Sequence, residues 1–206
     1  MLTSIQKDAL TEILNIQIGA AANILSEMVS QKVILSVPEL ELMGGGTVDY
    51  DLLKHQQMTD ITDAIATKIS FTGQFCGSAA VVIPRDKASS LVNVCLGADE
   101  TEETDVLSEE YADVIKEICN IILNSLLGKL GNIMEVRLEY TSLEVGSSIE
   151  LWDRHDTQED AKVLVLYTSF FLTNSQVRGI VLIALAPDSF DMLVGKIDDM
   201  LRDIHV

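Results

Sequence analysis

The sequence is poor in positive charge. Fourteen lysines and arginines stand against thirty-two aspartates and glutamates, a formal net charge of −18 over 206 residues. A nucleic acid or an anionic membrane surface would be repelled by that imbalance, which argues against either as a partner. Cysteine is scarce too: Cys76, Cys95 and Cys119 stand singly in apolar surroundings, with no C-x2-C spacing. That pattern argues against a disulfide framework or a zinc site, and reads as reduced core thiols in a cytosolic protein. The three histidines, His55, His155 and His205, are scattered, so no metal is expected. No apolar run approaches the roughly 18 residues of a membrane span, and no basic-then-apolar signal pattern opens the chain. The expected location is therefore cytoplasmic. Gly44-Gly45-Gly46 lacks the Lys-Ser/Thr ending of a phosphate loop and reads as a flexible turn.

What the chain does have is a spaced triplet that occurs twice. Asp8, Glu12 and Asn15 follow D-x3-E-x2-N, and Asp113, Glu117 and Asn120 repeat it 105 residues later. On a helix of 3.6 residues per turn, offsets of four and seven put all three side chains on one face. The same offset pairs Ile13 with Ile118, Ile16 with Ile121, Leu25 with Leu130, Lys32 with Arg137 and Glu39 with Glu144. With a small change of offset, the stretch from Gly77 to Pro84 resembles that from Gly179 to Pro187. A period this long is no solenoid; it fits two copies of one supersecondary unit.

Hydrophobic residues at 48% and charged residues at 22% indicate a folded chain, long enough for one core or two halves sharing one. Residues 4–29 have helical periodicity, with Thr3 or Ser4 as the cap. Residues 32–41 alternate like a strand that ends near Pro38, and 44–60 form a connection. Residues 64–71 and 75–83 read as a hairpin around Thr72-Gly73-Gln74, and Pro84 suits the start of a helix through Leu96. An acidic stretch, 99–105, joins the halves. Ser108 then caps a helix through about Leu130, with Glu109 and Glu110 facing its dipole. Strands follow at 134–143, 162–172 and 177–186, with a charged loop at 153–160, and Pro187 opens a last helix to about Asp203. The fold class is α+β: a pseudo-two-fold duplication of helix, strand, hairpin and helix, with helices packed on an antiparallel sheet. The whole of 1–206 is expected to be one domain, with repeats at about 4–98 and 106–206.

In one copy the triplet would read as the solvated face of an amphipathic helix. Asparagine is a mediocre choice for that task, because it competes for backbone hydrogen bonds, yet both copies place it at the same turn. A carboxamide offers donors and an acceptor without charge, so it can orient a water without repelling a phosphoryl group. The carboxylate three residues before it can grip a cation, such as a lysine in a partner's active site. The chain offers no nucleophile, metal cage or phosphate cradle, so a partner would have to complete the chemistry.

These residues resemble the CheC/CheX/FliY family of chemotaxis phosphatases, whose signature is (D/S)-x3-E-x2-N-x22-P. Asp8, Glu12, Asn15 and Pro38 match it fully; Asp113, Glu117 and Asn120 match, but Leu143 stands where the proline belongs. Two copies are the CheC arrangement, and no further domain of the FliY kind is expected after residue 206. The resemblance implies dephosphorylation of the phospho-aspartate of a CheY-type response regulator. Asn15 and Asn120 would orient the attacking water, Glu12 and Glu117 would pair with the receiver's lysine, and Asp8 and Asp113 would help bind the partner. Mg2+ would be held by the receiver, with no cofactor on this chain. The alternative is a non-catalytic adaptor that binds the phosphorylated regulator or a CheD-type deamidase.

Overall fold

Thr3 sets where the first helix begins. Its hydroxyl accepts from the Gln6 backbone N–H at 3.3 Å, while its own N–H donates to Gln6 Oε1 at 2.8 Å. Two of the N–H groups that a helix start leaves unpaired are thereby satisfied, and α1 runs from Ser4–Met28. Leu10, Leu14, Ile18 and Leu25 are buried on one side of it. Burying each contributes on the order of 2 kcal/mol. The structure is a computed structural model that describes residues 2–35, 39–44, 63–96, 108–147, 161–172 and 175–204. Pro38, the three histidines, the 99–105 junction and the 153–160 loop lie outside the described residues.

The strands are β1 (Val33–Leu35), β2 (Glu39–Gly44), β3 (Ala64–Thr72), β4 (Gly77–Pro84), β5 (Glu139–Tyr140), β6 (Glu144–Ser147), β7 (Lys162–Leu172) and β8 (Ser175–Leu185). They form one 8-stranded sheet in the order β1-β7-β8-β4-β3-β5, with β2 also on β7 and β6 also on β3. Every pairing is antiparallel. The first half thus lays its β1 and β2 on the second half's hairpin, and the second half returns β5 and β6 to the first half's hairpin. The ladder of β4 on β8 joins the two at the centre, with Val81 opposite Val181.

Each exchanged strand is broken at the same point. From Leu35↔Phe170 to Glu39↔Tyr167 the first strand carries one residue more than β7. From Tyr140↔Phe71 to Glu144↔Lys68 the second carries one more than β3. At the second break Thr141 bridges the gap: its N–H donates to the Ser70 carbonyl and its hydroxyl accepts from the Ser70 N–H, both at 3.0 Å. Position 143 directly precedes β6, within the second interruption.

Helices α1, α2 (Arg85–Leu96), α3 (Glu109–Met134) and α4 (Pro187–Ile204) share one apolar core with the sheet. Leu14, Leu123 and Leu127 meet Val81, Leu164 and Ile183 there, while the alternate residues Val82, Val163, Val165, Ile180 and Leu182 form a second buried cluster. Both sets of side chains on β4, β7 and β8 are therefore shielded, which is why these strands read as nearly continuous apolar runs. The starts of α1 and α3 are tied in parallel ways. Gln6 Nε2 donates to Asp198 Oδ1 at 2.6 Å, and Tyr111 Oη donates to Asn93 Oδ1 at 3.0 Å. Both ends of these two bonds are related by the same 105-residue offset.

Several boundaries differ from those expected. The first strand resumes as β2 and continues to Gly44. Pro84 pairs with Ala64 as the last residue of β4, so α2 begins at Arg85. The hairpin's second strand starts at Gly77, because Phe75 turns inward to stack on Phe71 with ring centroids 5.7 Å apart. Ser108 holds the N-cap position of α3, yet its side chain makes no capping bond. That helix also runs to Met134, stopped by Glu135 in the left-handed region at φ 56°, so the strand expected from 134 starts only at Glu139. The strand expected at 177–186 is β8, which starts at Ser175.

Glycine separates two outcomes. A Cβ on Gly77 would collide with the Ala184 carbonyl oxygen and sit 2.9 Å from Phe71 Cζ, whereas one on Gly19 meets nothing within 4 Å. Gly77→Ala is expected to cost about 2–3 kcal/mol by overpacking the central ladder. Gly19→Ala should gain about 0.5–1 kcal/mol of helix propensity. Urea denaturation of both variants against wild type checks the opposite signs.

Candidate functional site: two acid and carboxamide stripes

On α1 the buried positions 10, 14, 18, 21 and 25 define the inner side, and Asp8 and Glu12 project exposed from the outer one. Asn15 lies at the edge between them, half-buried. Its Oδ1 is fully buried and meets no hydrogen-bond donor among the described residues. Leaving a buried acceptor unpaired costs about 1–3 kcal/mol, so this carboxamide is not there for stability. Around the stripe the surface is unusually apolar: Ile5 is 63% and Ile16 60% exposed. Helical geometry puts both on the side of Glu12.

The second stripe has the same residues in a different setting. Asp113 and Glu117 are exposed on α3, and Asn120 is half-buried. Lys116 Nζ holds Asp113 Oδ1 at 3.2 Å, an exposed pair of small energetic weight. Asn124, one turn further along, donates from Nδ2 to Asn120 Oδ1 at 2.8 Å. The equivalent positions in α1 are Thr11 and Gly19, so neither contact has a counterpart there. Leu143, in place of the proline, is half-buried just before β6. All six triplet residues thus lie where spacing puts them, on outer helix faces. Lys116, Asn124 and Gly19 escaped the sequence reading, although the 105-residue offset alone would have exposed the mismatch.

Two of the three thiols are poor nucleophiles. Burial pushes Cys119, beside Asn120 in sequence, up to about 12, and Cys95 up to about 11. Both stay protonated at neutral pH. Cys76 is half-buried, and its backbone N–H donates to Ser189 Oγ at 2.9 Å. Among the described residues no group of three His, Cys, Asp or Glu side chains is placed to hold a metal ion. A cavity of about 320 Å³ opens at the ends of β3, β4 and β8, lined by Ser70, Phe71, Cys76, Gly77 and Ala184, with no triplet residue in its walls. What the stripes can do is meet a group carried by another molecule: the carboxylate receives a cation, and the carboxamide reaches a polar atom beside it.

An α+β fold of interleaved repeats, each bearing one acid-acid-carboxamide stripe, defines a class that comparison with known proteins identifies. The family model described as "Chemotaxis phosphatase CheX" matches residues 65–158, which include the second triplet. The model described as "CheC-like family" matches residues 5–42, which include the first. The flagellar motor switch phosphatase FliY of Bacillus subtilis (strain 168) is 22% identical over 143 residues, covering 67% of this chain and 34% of that protein. The match thus spans about a third of that relative's length. Among solved structures, Thermotoga maritima FliY has a TM-score of 0.72 at 18% identity, covering 97% of this chain and 98% of that one. A chain of the FliG–FliM complex from H. pylori gives 0.70 at 12% identity, covering 94% and 100%. Together with the FliY matches, the two family models support the CheC/CheX/FliY family for this chain.

The contrast between the two asparagines is measurable as stability. Asn15→Met removes an unpaired buried acceptor and should raise stability by about 1 kcal/mol. Asn120→Met breaks the bond to Asn124 and should leave stability unchanged or slightly lower. Thermal unfolding of the two variants tests the difference in sign.

Proposed function

We propose that the chain is a cytoplasmic phosphatase that removes the aspartyl phosphate from a CheY-type response regulator in chemotaxis-like two-component signalling. The observation that carries this reading is the pairing, twice over, of an exposed glutamate with a half-buried asparagine one turn on. A partner that brings its own phosphoryl group, its own Mg2+ and an active-site lysine supplies what the stripes lack. On docking, Glu12 or Glu117 pairs with that lysine, while Asp8 or Asp113 adds attraction at the rim. Asn15 or Asn120 then orients a water in line with the phosphorus. The water oxygen bonds to phosphorus, the bond from phosphorus to the aspartyl oxygen breaks, and the aspartate leaves as a carboxylate. The water's proton passes to the released phosphate. Positioning of this kind suits phosphoryl transfer, where there is little covalent chemistry for the catalyst to perform. The exposed Ile5 and Ile16 supply apolar area for the encounter.

A second reading draws on the likeness to a chain of the FliG–FliM complex: the same fold can serve as a docking module. In that case the chain would bind a phosphorylated regulator, or a CheD-type deamidase, without turning it over. The two readings part at the asparagines. Phosphate loss from a phosphorylated CheY-type receiver, followed with wild type and with the Asn15→Ala/Asn120→Ala double variant, separates them. Turnover by wild type that falls by at least about a hundredfold in a folded, receiver-binding double variant is the expected result, in line with losses on removing one water- or oxyanion-orienting group. Binding by wild type with the phosphate lifetime unchanged would replace the phosphatase with the docking module.

A further inference from the structure

We propose that Asn124 is a positioning residue for Asn120, and that Gly19 at the matching place in α1 leaves the two sites unequal, with the Asn120 site the faster once a receiver is docked. The inference rests on the phosphatase reading and adds a rank order between its two centres.

The argument starts from the two ends of a carboxamide. Rotation about the Cβ–Cγ bond exchanges an accepting oxygen for a donating nitrogen, and the two states are nearly isosteric. At Asn120 the exchange is opposed, because Asn124 Nδ2 donates to Oδ1 at 2.8 Å. One turn of helix separates these residues, the spacing at which side-chain amides meet on a helix surface. The bond ties the Asn120 carboxamide to its neighbour and still leaves a lone pair on Oδ1 and both Asn120 N–H groups for a ligand. Asn15 has no such partner: its Oδ1 is buried and meets no donor among the described residues, which leaves the nitrogen end outward. To present the oxygen to a water, Asn15 must first turn, and that reorganisation is deducted from its rate. The difference is one residue: Asn124 in α3, Gly19 in α1. A Cβ added at Gly19 meets nothing within 4 Å, so there is room to begin installing the missing contact.

Each site is measured alone, with a phosphorylated CheY-type receiver as substrate. In the Asn15→Ala protein, Asn124→Ala and Asn124→Leu should each lower kcat by about two- to fivefold, the scale of one helix-surface hydrogen bond strengthened as docking excludes water, with KM unchanged. Asn124→Gln, which keeps the donor, should retain most of the rate. In the Asn120→Ala protein, Gly19→Asn should raise kcat by a similar factor and Gly19→Ala should not. The side-chain NH2 signals give a readout independent of turnover: Asn120 should be ordered and Asn15 mobile by NMR relaxation, and Asn124→Ala should make Asn120 resemble Asn15. An active wild type whose kcat is untouched by Asn124→Ala, or whose Gly19→Asn variant gains nothing, overturns the inference and leaves the phosphatase standing. So does an effect confined to KM. A wild type that binds the receiver without shortening its phosphate lifetime overturns both.

Discussion

The antiparallel ladder between β4 and β8 is the constraint on which the rest of the molecule depends. It is the seam between the two copies, with Ala80 facing Leu182 and Val81 facing Val181, buried on both sides. Because it joins the hairpins edge to edge, each outer hairpin strand has a free side, and each receives the broken strand of the other copy. The helices then have one continuous surface to cover. α1 and α3 lie on it as a matched pair with their polar stripes turned outward, and the ties from Gln6 to Asp198 and from Tyr111 to Asn93 hold their first turns against the closing helices.

On that frame the two stripes are alike in what they present and unlike in how it is held. Asp8 and Asp113, and Glu12 and Glu117, are exposed in both copies, as a group that must reach another molecule has to be. The asparagines sit lower, at the edge of the core, where water is partly excluded and a polar contact is worth more. The two copies differ in their surroundings: one has an apolar surround and a buried amide oxygen with no donor among the described residues, and the other has Lys116 beside its acid and Asn124 beside its amide.

Much of this was legible in the chain. The first helix could be read to within a residue because local signals agree there: a capping threonine, a returning Gln6 and apolar residues on one side. β7 was readable end to end, since eleven residues of β-forming character lie between polar flanks. The misplaced boundaries share a cause, a stop or start carried by an atypical residue. Glu135 ends α3 in a conformation usually given to glycine, and Pro84 closes a strand where proline more often opens a helix. Strand pairing was invisible, because no local pattern says that Val33 belongs opposite Leu172. Spacing alone put all six triplet residues on the outer sides of their helices. The contact on Asn120 was hidden, because its donor, Asn124, lies one turn away and outside the repeated pattern.

The exchange of broken strands also shapes how the chain must fold. Val33 finds its partner about 140 residues later, and Phe71 meets Tyr140 only after the second long helix has been made. Contacts that close such large loops form late, because their entropy is lost before any gain is returned. During synthesis the first copy therefore leaves the ribosome with the outer side of its hairpin bare and its own first strand unclaimed. Its hairpin edge is covered once β5 and β6 emerge, but its first strand stays unclaimed until β7 follows, so the two copies are expected to assemble together rather than in turn.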